Sequence, residues 1–158
     1  MNHDQAIAAL RRADRVARRA MSMGRHPFGA LLVDPDGDTV LAEQGNIDTV
    51  NHAEATLARH AAANWPGSYL GQCTLVTTFE PCAMCAGTIY WAGIGRVVYG
   101  AEESALLALT GNHPENPTLS LPCRDVFARG QRAVEVLGPV AEVAAEMIAT
   151  HRGFWESR

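Results

Sequence analysis

Two short motifs constrain the fold of this chain more than any other feature. They are His52-Ala53-Glu54 and Pro81-Cys82-Ala83-Met84-Cys85, and each is predicted to open a helix that follows a strand or loop. Cysteines three residues apart lie on one face of a helix, and the helix N-terminus favours their thiolate form. Each motif alone is common, but both in one short chain predict a fold that brings them together around a metal ion.

Zinc is the metal that these residue types suit. His52, Cys82 and Cys85 offer one neutral imidazole and two thiolates. Three protein ligands leave the fourth tetrahedral position to water, which is the pattern of a catalytic zinc site. Glu54 stands too near His52 in sequence to bind the same ion comfortably, so we predict that it accepts and donates protons beside the metal. The alternative interpretation is that Glu54 is simply an acidic residue in the first turn of a helix, where the helix dipole favours a negative charge.

Two other interpretations of the cysteines are weighed against the catalytic site. A structural zinc site needs a fourth ligand, and Cys123 offers one, although its proline-flanked segment lacks ligand spacing. A redox pair of Cys82 and Cys85 leaves the His-Ala-Glu motif without a role. The catalytic interpretation is therefore preferred, and Cys73 and Cys123 are expected to be small buried hydrophobes.

The rest of the chain alternates between helical and strand patterns. An amphipathic, Arg-rich stretch predicts the first helix, and Pro35-Asp36-Gly37-Asp38 predicts the turn of a β-hairpin. Helices are predicted over 4–22, 52–64, 82–92, 102–109 and 139–151, strands over 29–34, 39–45, 73–78, 96–100 and 133–137, and a loop over 111–122. This order predicts one α/β domain over residues 1–158, with helices on both faces of a mixed sheet.

Composition and charge limit the partners of the chain. The formal net charge of −4 disfavours binding to a long phosphate backbone, although the arginines of the first helix leave a local patch for nucleic acid as the minor alternative. No apolar run reaches membrane-spanning length, and no signal-peptide core follows the first residues. We therefore expect a cytoplasmic protein with reduced cysteines and no membrane association.

Three further segments accompany the two motifs. They are His26-Pro27-Phe28-Gly29-Ala30, the run from Glu80 to Gly87, and Ile89-Tyr90-Trp91-Ala92. Together with H-x-E and P-C-x-x-C they make the chain, from about residue 26 to residue 101, resemble the cytidine deaminase-like superfamily of zinc-dependent deaminases. Within that superfamily it looks most like the guanine deaminase and tRNA adenosine deaminase branch. The resemblance implies a three-layer α/β/α fold with a five-stranded mixed sheet, a Zn²⁺ cofactor and a homodimer.

The resemblance also implies roles around the metal. Asn46 and the backbone of Ala53 would bind the polar edge of a substrate ring, and the carbonyl of Glu80 would orient the departing amine. Phe28 and Trp91 would form walls of the pocket, and ordinary core packing is their other interpretation. These five residues are the expected substrate contacts.

The reaction that the resemblance implies is hydrolytic deamination of an aminated nucleobase, with guanine or a related free base as the first candidate. A tRNA adenosine deaminase, a cytosine or nucleoside deaminase, and a non-catalytic zinc-stabilised interaction domain are the alternatives. The chain departs from its relatives at 48–51, at 102–106 and over the loop, so fewer residues define the substrate than define the reaction. Phe154 and Trp155 are expected to pack on the domain or to close over an active site.

Overall fold

A five-stranded sheet forms the centre of the computed structural model, which describes residues 1–158. Its strands are β1 (Gly29–Val33), β2 (Val40–Gly45), β3 (Thr74–Phe79), β4 (Arg96–Ala101) and β5 (Glu135–Leu137). In space they follow the order β2-β1-β3-β4-β5. Strand β1 pairs antiparallel with β2 and β3, whereas β3, β4 and β5 run parallel, so the sheet is mixed as predicted.

Helices cover both faces of the sheet. They are α1 (His3–Ser22), α2 (Ala53–Asn64), α3 (Gly67–Leu70), α4 (Ala83–Ala92), α5 (Glu103–Thr110), α6 (Cys123–Ala128) and α7 (Ala141–His151), followed by a 3₁₀ turn at Trp155–Ser157. Helices α2, α4 and α6 share one buried apolar cluster with the sheet, and α1, α5 and α7 share the other. The three-layer α/β/α prediction is therefore confirmed.

Successive strand residues divide between the two cores. In β1, Leu32 packs into the α2 and α4 side, while Leu31 packs into the α1 and α7 side. Val97 and Val98 of β4 divide in the same way. This follows from the two-residue side-chain period of a strand, and because both faces are covered, the central strands are buried along nearly their whole length.

The boundaries in the structure lie within about two residues of the predicted ones. The predicted hairpin is present, with Asp36 accepting the backbone N–H groups of Asp38 and Thr39 in its turn. Helices α3 and α6 were not predicted, because four- and six-residue helices are too short to show a helical period. No helix combines the length and apolar character needed to cross a bilayer.

The arginines of α1 are largely paired with acidic groups. Arg12 and Arg19 both contact Glu43 of β2, at 3.3 and 3.0 Å. Arg11 pairs with Glu146 of α7 at 2.8 Å, and Arg18 pairs with Asp14 at 2.7 Å. The contacts with Glu43 and Glu146 connect α1 to β2 and α7, and all four pairs offset the positive charge of the face that sequence alone left open to nucleic acid.

Candidate active site

The two motifs meet because two helices begin at the same edge of the sheet. His52 is the residue before α2, and Cys82 is the residue before α4. Helix α2 packs against α4, so their N-termini lie side by side. Cys85, in the first turn of α4, faces the core and is fully buried. The fold therefore delivers both sulfurs and the imidazole to one point, as the sequence predicted.

The donor atoms have the spacing of ligands to one metal ion. His52 Nδ1 lies 3.6 Å from Cys82 Sγ and 3.6 Å from Cys85 Sγ. All three donor atoms lie within 4.8 Å of one another. Tetrahedral zinc with bonds of about 2.0–2.3 Å places its ligands about 3.5 Å apart, so this set fits zinc. His52 and Cys82 are only partly buried, which leaves one side of the site open to the solvent.

The three donors also shift one another's pKa values. Hydrogen bonding by the Cys85 thiol, and by His52, lowers the pKa of Cys82. The bond to Cys82, followed by burial, raises the pKa of Cys85. The bond to Cys82 also raises the pKa of His52. These groups share protons at close range, and a divalent cation would take the place of those protons.

Glu54 lies beside the donor set and is 5% exposed. Its Oε1 accepts a hydrogen bond from Thr77 Oγ1 at 2.9 Å, and its Oε2 lies 3.7 Å from Cys85 Sγ. Burial raises the pKa of Glu54 above that of an ordinary glutamate. A carboxyl group in this position is able to hold and release a proton close to a metal-bound ligand.

A cavity of about 250 Å³ opens onto these groups. His52, Glu54 and Cys82 line its inner end, and Phe28 and Phe79 line its wall. The loop over 111–122, for which sequence gave no role, contributes the run from Glu115 to Leu119. This volume is close to the lower end of the range of small-molecule pockets, about 300–1,000 Å³, and is large enough for a nucleobase ring.

Two of the five expected substrate contacts line the cavity, and Ala53 and Asn46 are adjacent to residues that line it, since the Asn46 N–H donates to the carbonyl of Phe28 at 3.0 Å. Phe28 and Glu80 line the cavity. Ala53 opens α2 next to His52. Asn46 is 2% exposed, and its Nδ2 donates to the carbonyl of Asp48. Its Oδ1 is buried without a hydrogen-bond partner, so this amide retains an unused acceptor.

The prediction for Trp91 is corrected by the structure. Trp91 is 86% exposed and does not line the cavity of its own chain. The buried face of α4 carries Cys85, Ala86 and Ile89. Trp91 follows Ile89 by two positions, which turns it by about 200° around the helix and directs it away from the core.

Several groups at the cavity were not predicted from sequence. Glu115 accepts hydrogen bonds from His26 Nε2 at 3.1 Å and from Arg158 Nε at 2.7 Å. Trp155 is buried against His26, with ring centroids 4.8 Å apart, and its Nε1 donates to His151 Nδ1. The C-terminal tail therefore packs against the cavity loop of its own chain. Loop residues have no periodicity that reveals such contacts, and only the aromatic pair in the tail gave a signal.

Comparisons with known proteins agree with this geometry. Residues 3–101 match the family described as the cytidine and deoxycytidylate deaminase zinc-binding region. A probable cytosine deaminase from Schizosaccharomyces pombe is 37% identical over 157 residues, which cover 97% of this chain and 94% of the relative. The guanine deaminase of Bacillus subtilis is 39% identical over 109 residues, which cover 66% of this chain and 67% of the relative.

The fold is also shared with a solved structure. A guanine deaminase from Nitrosomonas europaea superimposes with a TM-score of 0.69 at 22% sequence identity. The match covers 94% of this chain and 84% of that protein. Because it covers nearly the whole chain, the three-layer arrangement has a counterpart in that protein.

Proposed function

The chain belongs to the cytidine and deoxycytidylate deaminase zinc-binding family and is a hydrolytic deaminase, and we propose that its substrate is a free aminated nucleobase. The observation that carries the proposal is the cavity of about 250 Å³ whose inner end holds His52, Glu54 and Cys82. Guanine is the candidate that the motif resemblance favours. Cytosine is the second candidate, because the probable cytosine deaminase is similar over nearly the whole chain.

The reaction replaces a ring C–NH₂ by C=O, consumes one water and releases ammonia. Zinc held by His52, Cys82 and Cys85 would supply Lewis acidity that lowers the pKa of a coordinated water to about 7. Glu54 accepts the proton that the attacking water loses and delivers it to the adjacent ring nitrogen. A second proton reaches the amine through the same carboxyl group as the C–N bond breaks. Proton transfer of this kind contributes about 10²–10⁴-fold in rate.

Other residues orient the ring in this proposal. The unused Oδ1 of Asn46 accepts from a ring or amino N–H, and the N–H of Ala53 donates to the polar edge of the ring. The carbonyl of Glu80 accepts from the departing amine. Phe28 supplies an apolar wall that excludes water. Trp91 has no part in this set, since its side chain lies outside the cavity.

A second copy of this chain is the partner that we propose for the outer face of α4. Trp91 is 86% exposed there. Tryptophan is enriched among the few residues that contribute most of the binding energy at protein interfaces. The proposed unit is a cytoplasmic homodimer of single-domain chains spanning residues 1–158, and four free cysteines suit that compartment. Sedimentation of the wild type and of Trp91→Ala tests the dimer, which the substitution should weaken.

The experiment for the reaction is an ammonia-release assay on the purified, zinc-loaded chain. The panel is guanine, adenine, cytosine, their nucleosides and a tRNA anticodon stem-loop. Glu54→Gln is the inactive variant, and Glu156→Gln, at an exposed glutamate, is the matched control. Ammonia from a free base that Glu54→Gln abolishes supports the proposal. Ammonia from the stem-loop alone would overturn it in favour of RNA editing, and ammonia from none of them would overturn it altogether.

A further inference from the structure

Glu103, the first residue of α5, is a cavity residue that the roles above leave unused. It lies just beyond β4, and its backbone N–H donates to Glu80 Oε2 at 3.3 Å. The other oxygen of Glu80 accepts from the N–H of Cys123, at the start of α6. Because Glu80 immediately precedes Pro81-Cys82, these bonds hold the start of α5 beside the metal-binding segment. Glu103 therefore lines the same cavity as Glu54 and Cys82.

The carboxyl group of Glu103 lacks hydrogen-bond donors. Its Oε2 is buried and has no partner. Burial, reinforced by the negative charges of Cys82 and Glu80, raises the pKa of Glu103 to about 8. A buried acceptor without a donor is costly to the fold. The Glu103 side chain as a whole is only partly buried, so a rotation towards the cavity would bring this oxygen to a ligand N–H.

The charges around the cavity restrict what ligand supplies this donor. Glu54, Glu80, Glu103 and Glu115 all line it, and no arginine does. A phosphate group would find no arginine among these residues, whereas their carboxyl oxygens offer acceptors to a neutral ring that is rich in N–H groups.

We propose that Glu103 accepts a hydrogen bond from the ring N–H that is present in a free base and replaced by a glycosidic bond in the nucleoside. The inference rests on the proposed function and names the residue that restricts its substrate class. In cytosine this N–H stands across the ring from the amine-bearing carbon, and in guanine it lies on the second ring. With the amine at the metal, the N–H points away from it. A carbon substituent on that nitrogen removes the donor and leaves the Glu103 carboxyl group unpaired.

Binding measurements on the zinc-loaded chain test this assignment without turnover. Glu54→Gln provides an inactive background, in which the dissociation constants of cytosine and 1-methylcytosine, and of guanine and 9-methylguanine, are measured by calorimetry. We expect the unmethylated member of at least one pair to bind about 10- to 100-fold more tightly. Adding Glu103→Leu should reduce that preference to within about threefold, chiefly by weakening binding of the unmethylated base.

Two further variants separate recognition from folding. Glu103→Gln keeps the size of the side chain and one acceptor oxygen, so it should retain part of the preference. Glu102→Gln, at the exposed neighbouring glutamate, should retain all of it. Zinc content and melting temperature are recorded for each variant. If Glu103→Leu does not fold, an unchanged preference in Glu103→Gln, together with unchanged affinity for the free base, overturns the assignment.

The outcomes distinguish this inference from the proposed function. If Glu103→Leu still prefers the unmethylated base as strongly as the parent protein does, the role of Glu103 is refuted, even if the wild type releases ammonia. Failure of the wild-type site to prefer any unmethylated base refutes it as well. A preference that depends on Glu103, in a chain that releases no ammonia, would support base recognition and would reject the deaminase substrate proposed above.

Discussion

Glu54 Oε1 accepts a hydrogen bond from Thr77 Oγ1 at 2.9 Å, and both side chains are buried. Thr77 lies in β3, where it pairs with Ala30 of β1 on one side and with Tyr99 of β4 on the other. The hydroxyl group is therefore held by the middle strand of the sheet. The sheet, through Thr77, fixes where Glu54 presents its second oxygen to the metal site.

This contact predicts a kinetic effect for Thr77→Val, which preserves side-chain shape and removes the hydroxyl. One carboxylate oxygen of Glu54 then loses its donor, and its orientation is no longer fixed. We expect kcat to fall about 10-fold with KM within about twofold of the wild-type value, because the lost interaction concerns proton transfer more than binding. Thr77→Ser retains the hydroxyl and should retain most of kcat. Equal losses in both variants would show that packing, not the hydrogen bond, is responsible.

The metal site predicts a specific pattern of zinc content. Cys82→Ser and Cys85→Ser each remove one thiolate from the three donors, so both variants should lose zinc on dialysis against a chelator and lose deaminase activity. The wild type should retain one zinc ion per chain. Atomic emission spectrometry of the dialysed proteins measures this directly.

Cys123→Ala is the matched control for that experiment. Cys123 is also a buried cysteine, but it is not among the clustered donors. The variant should retain full zinc content, since its thiol stands at the start of α6 and not at the metal site. Zinc loss in Cys123→Ala would instead support a structural zinc site with Cys123 as its fourth ligand, which is the alternative to the catalytic site.

Sequence predicted the metal donors because their spacing is local. Cys82 and Cys85 share one helical turn, and His52 and Glu54 share another, so the only long-range requirement was that two helix N-termini meet. Apolar strands with β-branched residues, such as the run from Thr74 to Phe79, likewise predict their own burial. These features depend on neighbouring residues in the chain.

The walls of the cavity could not be predicted because they depend on contacts between distant segments. Glu103 is defined by a hydrogen bond to Glu80, and Glu115 by contacts with His26 and Arg158. None of these pairs has a sequence spacing that indicates contact. Trp91 was misplaced for a related reason, because a helix of nearly uniform apolarity does not show which face is inward.

The tail predicts an effect on substrate binding. Arg158 donates to Glu115, and Glu115 belongs to the loop that lines the cavity. Arg158→Ala should raise KM about two- to fivefold and leave kcat nearly unchanged, since a partly exposed ion pair stabilises the loop only modestly. Arg152→Ala, at an exposed arginine close by, is the control. Steady-state kinetics on the active base of the panel give both constants.

Truncation after Arg152 extends the same prediction to Trp155. That ring packs on His26 and donates to His151, so its removal takes away contacts that hold the loop as well as the ion pair. KM should rise more than in Arg158→Ala. If the truncated chain keeps the wild-type KM and kcat, then the tail does not shape the cavity, and its aromatic residues serve packing alone.

The stability of the protein should depend on pH through His151, which is 1% exposed. Burial lowers the pKa of His151 from 6.5 to about 4, the Pro27 backbone acts in the opposite direction, and the nearby His26 adds to the lowering. Its neutral form accepts the indole N–H of Trp155 on Nδ1. Between these two pH values the unfolded chain binds more protons than the folded chain. The stabilisation is therefore complete above pH 6.5 and is lost as the pH falls towards 4.

Urea unfolding of the wild type and of His151→Gln at pH 7, 6 and 5 measures this effect. The substitution changes packing at every pH and so shifts the free energy of unfolding by a constant amount. The relevant quantity is therefore how steeply that free energy changes with pH. The free energy of unfolding of the wild type should fall by about 2 kcal/mol more between pH 7 and pH 5 than that of the variant. His60→Gln, at an exposed histidine, should follow the wild-type slope. Parallel curves for wild type and His151→Gln would mean that the buried imidazole accepts a proton without opening the tail.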